Sequence, residues 1–140
     1  MKGVFVYAWI EKISFDERGL IPAITQDYKT GKVLMLAWMN KESLMETVDS
    51  GKVVYYSRSR SKLWTKGEKS GHFQILQELR LDCDGDTILL KVRQKKGIAC
   101  HTGRQTCFFQ LLSHDSWVTD EEIIKSSEEI YKFGMDQEAK

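Results

Sequence analysis

Proline is almost missing from this 140-residue chain, which has Pro22 alone. No Gly/Ser-rich linker, repeat or low-complexity stretch accompanies it, so nothing marks an internal boundary, and one domain over residues 1–140 is expected. Cysteine is scarce and odd in number: Cys83, Cys100 and Cys107. Three thiols speak against a closed disulfide framework and fit a reducing, cytoplasmic setting, where they are metal ligands, nucleophiles or small buried side chains. Net charge is nearly absent, at +1. Global attraction to nucleic acid or to an anionic membrane is therefore not expected, and any charged ligand must be held by a local cluster. No apolar run approaches the roughly 18 residues of a membrane helix. The opening "MKGVFVYAWIEKISFDERG" lacks both the apolar length and the small-residue cleavage site of a secretory signal.

What is present reads as a β-rich domain. "LIPAITQD" and "KVLMLAWM" flank the turn-like "YKTG" and suggest paired strands. Asn40 is placed to cap a helix over "NKESLMETVDSG", with Leu44, Met45 and Val48 on one face and Gly51 as its stop. "KVVYYSRS", "ILQELRLDC", "TILLKVRQ" and "CFFQLL" read as further strands from their β-branched and aromatic content. In "TDEEIIKSSEEIYKFG", Thr119 and Glu122 have capping-box spacing before an apolar stripe of Ile123, Ile124 and Ile130, which predicts a C-terminal helix over about 119–134. The expected class is mainly β with helices (α+β) and mainly antiparallel.

The stretch "RLDCDGDTILLKV" carries more charge than a hairpin needs. Asp84-Gly85 suffices for the turn, yet Asp82, Asp84 and Asp86 stand at every second position with Cys83 among them. Carboxylates are hard ligands for magnesium, calcium or manganese; thiolates suit zinc. An EF-hand loop starting at Asp82 fails, because Thr87 and Arg93 occupy its glycine and glutamate positions. A solvated hairpin is the plain alternative. If residues 82–84 are extended, both carboxylates face one way and Cys83 the other, towards a packed strand or another subunit. The spacing C-x16-C-x6-C is no zinc knuckle, and Cys83 and Cys107 can equally be buried small side chains. Cys100, however, lies in the polar, Gly-flanked "GIACHTGR" and brings His101. Three ligands with one open position is the pattern of a catalytic zinc.

A third cluster, "YSRSRSKLWTKGEKSGHF", interleaves Arg58, Arg60, Lys62, Lys66 and Lys69 with hydroxyls around Trp64. Arginine forks, hydroxyls and approachable glycine backbone suit phosphate oxygens. The same composition also fits single-stranded nucleic acid or a merely solvated loop, and Glu68 argues against a nucleic-acid track.

Taken together, "GLIPAITQDYKTGKVLMLAWMNKESL", "GKVVYYSRSRSKLWTKGEKSGH", "DCDGDTILLKV" and "ACHTGRQTCFF" resemble the phosphoribosyl-AMP cyclohydrolases of histidine biosynthesis, from about Phe15 to about Phe109. The resemblance implies a barrel-like antiparallel β structure capped by an α-helix, in an intertwined homodimer. It implies hydrolytic opening of the adenine ring of N1-(5-phosphoribosyl)-AMP between N1 and C6. It also implies zinc on Cys83, Cys100 and Cys107, drawn from both subunits, and magnesium on Asp82, Asp84 and Asp86. Many relatives continue into a phosphoribosyl-ATP pyrophosphohydrolase domain, for which the stretch after Leu112 is short, so the monofunctional form is expected. Zinc-bound hydroxide would attack C6, as zinc deaminases attack that carbon of adenine, and N1 would leave with a proton from a general acid/base. His101 is the first choice for that group and His72 of "SGH" the second. Two phosphates call for two basic regions. One is expected at Arg58, Arg60, Trp64, Lys66, Glu68, Ser70 and Gly71, the other at Thr102, Gly103 and Arg104. Gln105-Thr106 departs from the basic residue and serine common in the family and removes a charge there. Rival readings are a zinc deaminase on a free nucleobase, disfavoured by the lack of H-x-E with P-C-x-x-C, and a zinc-stabilised nucleic-acid-binding module. The expected partners are the small-molecule substrate and a second copy, with neither nucleic acid nor membrane.

Overall fold

Alternating apolar and polar side chains decide where the strands lie. The structure, a computed structural model, describes residues 8–126 and 128–130. A 3₁₀ turn at Ala8–Lys12 precedes β1 (Leu20–Asp27) and β2 (Val33–Asn40), the two apolar runs read from the sequence. In β1, Leu20, Ile21, Ala23 and Thr25 are buried, while Pro22, Ile24 and Gln26 are half-buried. Pro22 is accommodated in this interior strand because the ladder with β6 starts only at Ala23.

Helix α1 (Lys41–Ser50) follows directly. Asn40 and Ser43 cap it reciprocally, both bonds 2.9 Å, and Gly51 ends it in the left-handed region at φ 78°. The predicted face is partly corrected: Ser43, Leu44 and Thr47 are buried, while Val48 is exposed. Thr47 tolerates burial because its hydroxyl donates to Ser43 O and accepts from Val54 N.

Strands β3 (Val54–Ser57) and β4 (Lys62–Thr65) form a hairpin, so part of the basic stretch is sheet and not loop. A second hairpin joins β5 (Gln74–Leu81) to β6 (Ile88–Gln94). The sheet order is β4-β3-β2-β1-β6-β5, antiparallel throughout except for β1–β6. Its far edge curls back onto the chain before β3, with Val53 N donating to Gln74 O (3.0 Å) and Leu76 N to Gly51 O (2.8 Å). The resulting half-barrel wraps a core that includes Ile21, Met39, Leu44, Tyr55, Leu90 and Val92, with α1 packed on β2 and β3. The α+β class is as expected.

The strand sought in "CFFQLL" is shifted. Cys107–Phe109 are not strand, and β7 (Gln110–Ser113) pairs with β8 (Ser116–Thr119) in a separate hairpin. That pairing takes Thr119 into the ladder opposite Gln110, so it does not cap a helix with Glu122, and residues 120–126 are not helical. The cap is Ser126 instead, whose hydroxyl accepts from Glu129 N at 3.2 Å ahead of helical residues 128–130. The predicted helix beyond residue 130 lies outside the described residues.

Candidate active site

The β5–β6 turn gathers the carboxylates. Residues 82–87 are not extended: Asp82 N donates to Thr87 O and Gly85 N to Asp82 O, both 3.1 Å, with Gly85 at φ 75°. The expected alternation of faces therefore does not apply. The turn itself curls Asp82, Asp84 and Asp86 together, with ligand oxygens within 4.8 Å of one another and all three exposed. Desolvation acts to raise the Asp82 carboxyl, but N–H groups of Asp86, Thr87 and Gly85 and the Asp86 side chain outweigh it and hold Asp82 low. Asp86 is pushed up, first by its hydrogen bond to Asp82 and then by that neighbour's charge. Three carboxylates whose oxygens crowd together form a donor set that fits a hard divalent cation.

A second centre forms where the 99–107 segment meets β2. Cys107 N donates to Leu34 O at 2.7 Å, and buried Thr106 donates to Val33 O at 2.8 Å. Cys100 N and Arg104 O close a tight turn at 3.1 Å. This brings the Cys100 and Cys107 thiols near enough for each to act on the other, and Thr102 Oγ1 donates to Cys100 Sγ at 3.0 Å. Burial pushes the Cys107 thiol up to about 11, with the Cys100 charge adding to the rise. Two soft donors held together fit zinc, which would draw off their protons. Exposed Cys83 does not join them: among the described residues the aspartates alone form a three-ligand cluster.

The β3–β4 hairpin and the turn after it wall a cleft of about 650 Å³. Of the expected substrate contacts, Arg60, Trp64, Lys66, Glu68 and Ser70 line it; Arg58 and Gly71 do not. Arg58 instead stacks on Trp38, 4.5 Å from the ring centre. Lys66 connects the cleft to the thiols. Its Nζ donates to Ala99 O at 2.6 Å, and burial lowers its affinity for the proton while the nearby Cys107 and Cys100 charges work in the opposite direction. Thr102, Gly103 and Arg104 belong to the thiol turn. Arg104 lies over Phe109 at 4.1 Å and donates from Nε to Glu121 O at 2.9 Å.

The two histidines differ sharply. His101 is exposed on the turn beside Cys100. His72 is buried, its Nε2 has no partner among the described residues, and burial with Lys96, Lys66 and Lys125 nearby lowers its pKa to about 4. Gly67 is required beneath it: at φ 89°, a Cβ would collide with the His72–Phe73 backbone. Sequence reasoning missed the buried chain that fixes this loop. Thr25 and Tyr55 share a hydroxyl contact, Tyr55 donates to Gln74 Oε1 (2.6 Å), Gln74 to Gln94 Oε1 (2.9 Å), and Gln94 to His72 O (2.9 Å). Polar residues at inward positions of predicted strands were the available signal.

The curled α+β half-barrel carries a carboxylate turn, a paired-thiol turn and a basic cleft. The sequence model of phosphoribosyl-AMP cyclohydrolase matches residues 35–109. The phosphoribosyl-AMP cyclohydrolase of Bordetella petrii is 57% identical over 129 residues, covering 89% of this chain and 96% of that protein. That of Methylobacillus flagellatus is 58% identical over 123 residues (88% and 95%), and that of Thiobacillus denitrificans 54% over 129 (89% and 97%). The chain belongs to the phosphoribosyl-AMP cyclohydrolase family, a family of enzymes. Among the described residues no helix is long and apolar enough to cross a membrane.

Proposed function

We propose that this protein hydrolyses N1-(5-phosphoribosyl)-AMP, opening the adenine ring between N1 and C6 to give the formimino aminoimidazole carboxamide ribonucleotide, a cytoplasmic step of histidine biosynthesis. The observation that carries this reading, beyond family membership, is Lys66. It lines the basic cleft and is anchored on Ala99 beside the thiol pair, so phosphate-binding and thiol chemistry adjoin.

Cys100 and Cys107 of one protomer, with the partner subunit's Cys83, would hold zinc, and Asp82, Asp84 and Asp86 would hold magnesium. Separation of Cys83 from the thiol pair within one chain supports a site shared by two subunits. Zinc in such a site supplies a water that ionises near pH 7, a nucleophile for C6. The rest falls to the protein. Arg60, Lys66 and Ser70 bind phosphate charge in the cleft, and Arg104 does so on the thiol turn. Trp64 offers a face for the purine. One water oxygen is added to C6 as the C6–N1 bond breaks, and one water proton must reach N1. His101, exposed beside Cys100, is the group we assign to that transfer. His72, neutral and buried, suits a fixed hydrogen-bonding role near the phosphates.

Ring opening followed by ultraviolet absorbance tests the assignment, with purified protein before and after chelation and with zinc restored. Turnover lost to the chelator and recovered with zinc is expected. Folded protein that turns over phosphoribosyl-AMP under no metal condition would refute the activity.

A further inference from the structure

The chain after β8 lies outside the matched residues 35–109, yet it closes over the thiol turn. Ile124 N donates to Gly103 O at 2.8 Å and Lys125 N to the same oxygen at 3.3 Å. Gly103, at φ 90°, is overlaid so closely that a Cβ would collide with Lys125 O. Glu121 holds the segment at its other end. Its backbone oxygen accepts from Arg104 Nε at 2.9 Å, and its carboxylate pairs with Lys32 Nζ at 2.8 Å in the β1–β2 turn, both side chains half-buried. From this anchorage Lys125 reaches far enough towards His72 to oppose its protonation.

We propose that Glu121–Lys125 is a positioning strap for the catalytic turn, with Glu121 as its clamp: the strap sets where Arg104 presents its guanidinium and keeps Cys100 closed from solvent. A turn held by its own bonds, from Ala99 N to Gln105 O, Cys100 N to Arg104 O, Gly103 N to Cys100 O and Thr102 Oγ1 to Cys100 Sγ, can pivot about its ends. The strap adds three bonds and an ion pair from a separate part of the chain, which removes that freedom. The Arg104 arm rests on the activity proposed above; the closure of Cys100 does not.

The test compares wild type with Glu121→Ala, Ile124→Pro (which deletes the shorter of the two bonds to Gly103 O) and the charge-swapped pair Lys32→Glu with Glu121→Lys. Steady-state kinetics on phosphoribosyl-AMP are measured alongside the rate at which a thiol reagent labels Cys100 in metal-free protein, located by peptide mass spectrometry. Melting temperature is followed in parallel. The expected result is a KM raised about tenfold, with kcat changed far less. Cys100 labelling should be severalfold faster in both single variants, and the swapped pair should recover both readouts. Unchanged KM and labelling in folded Glu121→Ala would overturn the proposal. So would changes that merely follow lost melting temperature, because a structural prop would show only that. If Ile124→Pro fails to fold, Glu121→Ala and the swap still decide. Inactive wild type would refute the activity, and the labelling rates would continue to judge the strap.

Discussion

Burial first, and then the neighbouring Cys100, push the Cys107 thiol up to about 11. A bound cation reverses that balance, since thiolates are the ligating form. Cys100→Ala or Cys107→Ala should each lower turnover by more than ~100-fold and remove stoichiometric zinc, read by metal analysis, because first-contact ligands matter at least as much as their supports. His72 poses a different residue-scale question. Its pKa of about 4 in the folded chain lies below the ordinary 6.5, so between those values the unfolded chain binds the additional proton. Stability is therefore lost as pH falls through that window, by about 1–3 kcal/mol in full. His72→Gln should flatten this part of the pH dependence in urea titrations near pH 7 and pH 4.5. A variant as acid-sensitive as wild type would place the imidazole's proton affinity nearer its usual value.

The elements are tied together by polar contacts as much as by apolar ones. Gln74 is fully buried between Tyr55 and Gln94, bonding both. Gln74→Ala leaves the Tyr55 hydroxyl with Thr25 alone, strips the Gln94 amide oxygen of its donor and opens a small void, a loss of about 2–4 kcal/mol in urea unfolding. Because Gln94 also holds His72 O, the same substitution should loosen the loop over Gly67. At α1, Asn40→Ala removes one half of a reciprocal cap and should cost about 1 kcal/mol. Little change would mean that packing of Leu44 alone holds the helix start.

On the scale of the whole molecule, large apolar side chains among the described residues gather on the surface in two places. Leu111, Leu112, Trp117 and Val118 on the β7–β8 hairpin are all about half exposed or more, and an apolar cleft of about 410 Å³ opens between Trp9, Ile13, Val48 and Leu79. Such surfaces mark association sites, in keeping with the proposed dimer. If zinc ligands come from two subunits, mixing inactive Cys83→Ser protein with inactive Cys100→Ser protein under subunit exchange should regenerate one intact site per mixed dimer. About a quarter of wild-type activity is then expected from statistical pairing. No recovery, with exchange demonstrated by mass, would place all three thiols of a site within one chain.

Local chemistry legible in the sequence determined β1, β2, α1 with both its caps, the β5–β6 hairpin and the identity of the site blocks. Apolar periodicity, an Asn–Ser cap, an Asp-Gly turn and rare thiol and carboxylate motifs all act within a few residues. Tertiary structure alone decided the parallel β1–β6 pair, which depends on sheet closure across distant segments. It decided that Thr119 enters a strand instead of capping a helix, because cross-strand pairing outweighs a capping signal. It also decided that His72 is sealed beneath a glycine while His101 stays open, and that Lys66 spans the cleft and the thiols. Burial, desolvation and long-range contact set these features, and none of them is a property of neighbouring residues in the chain.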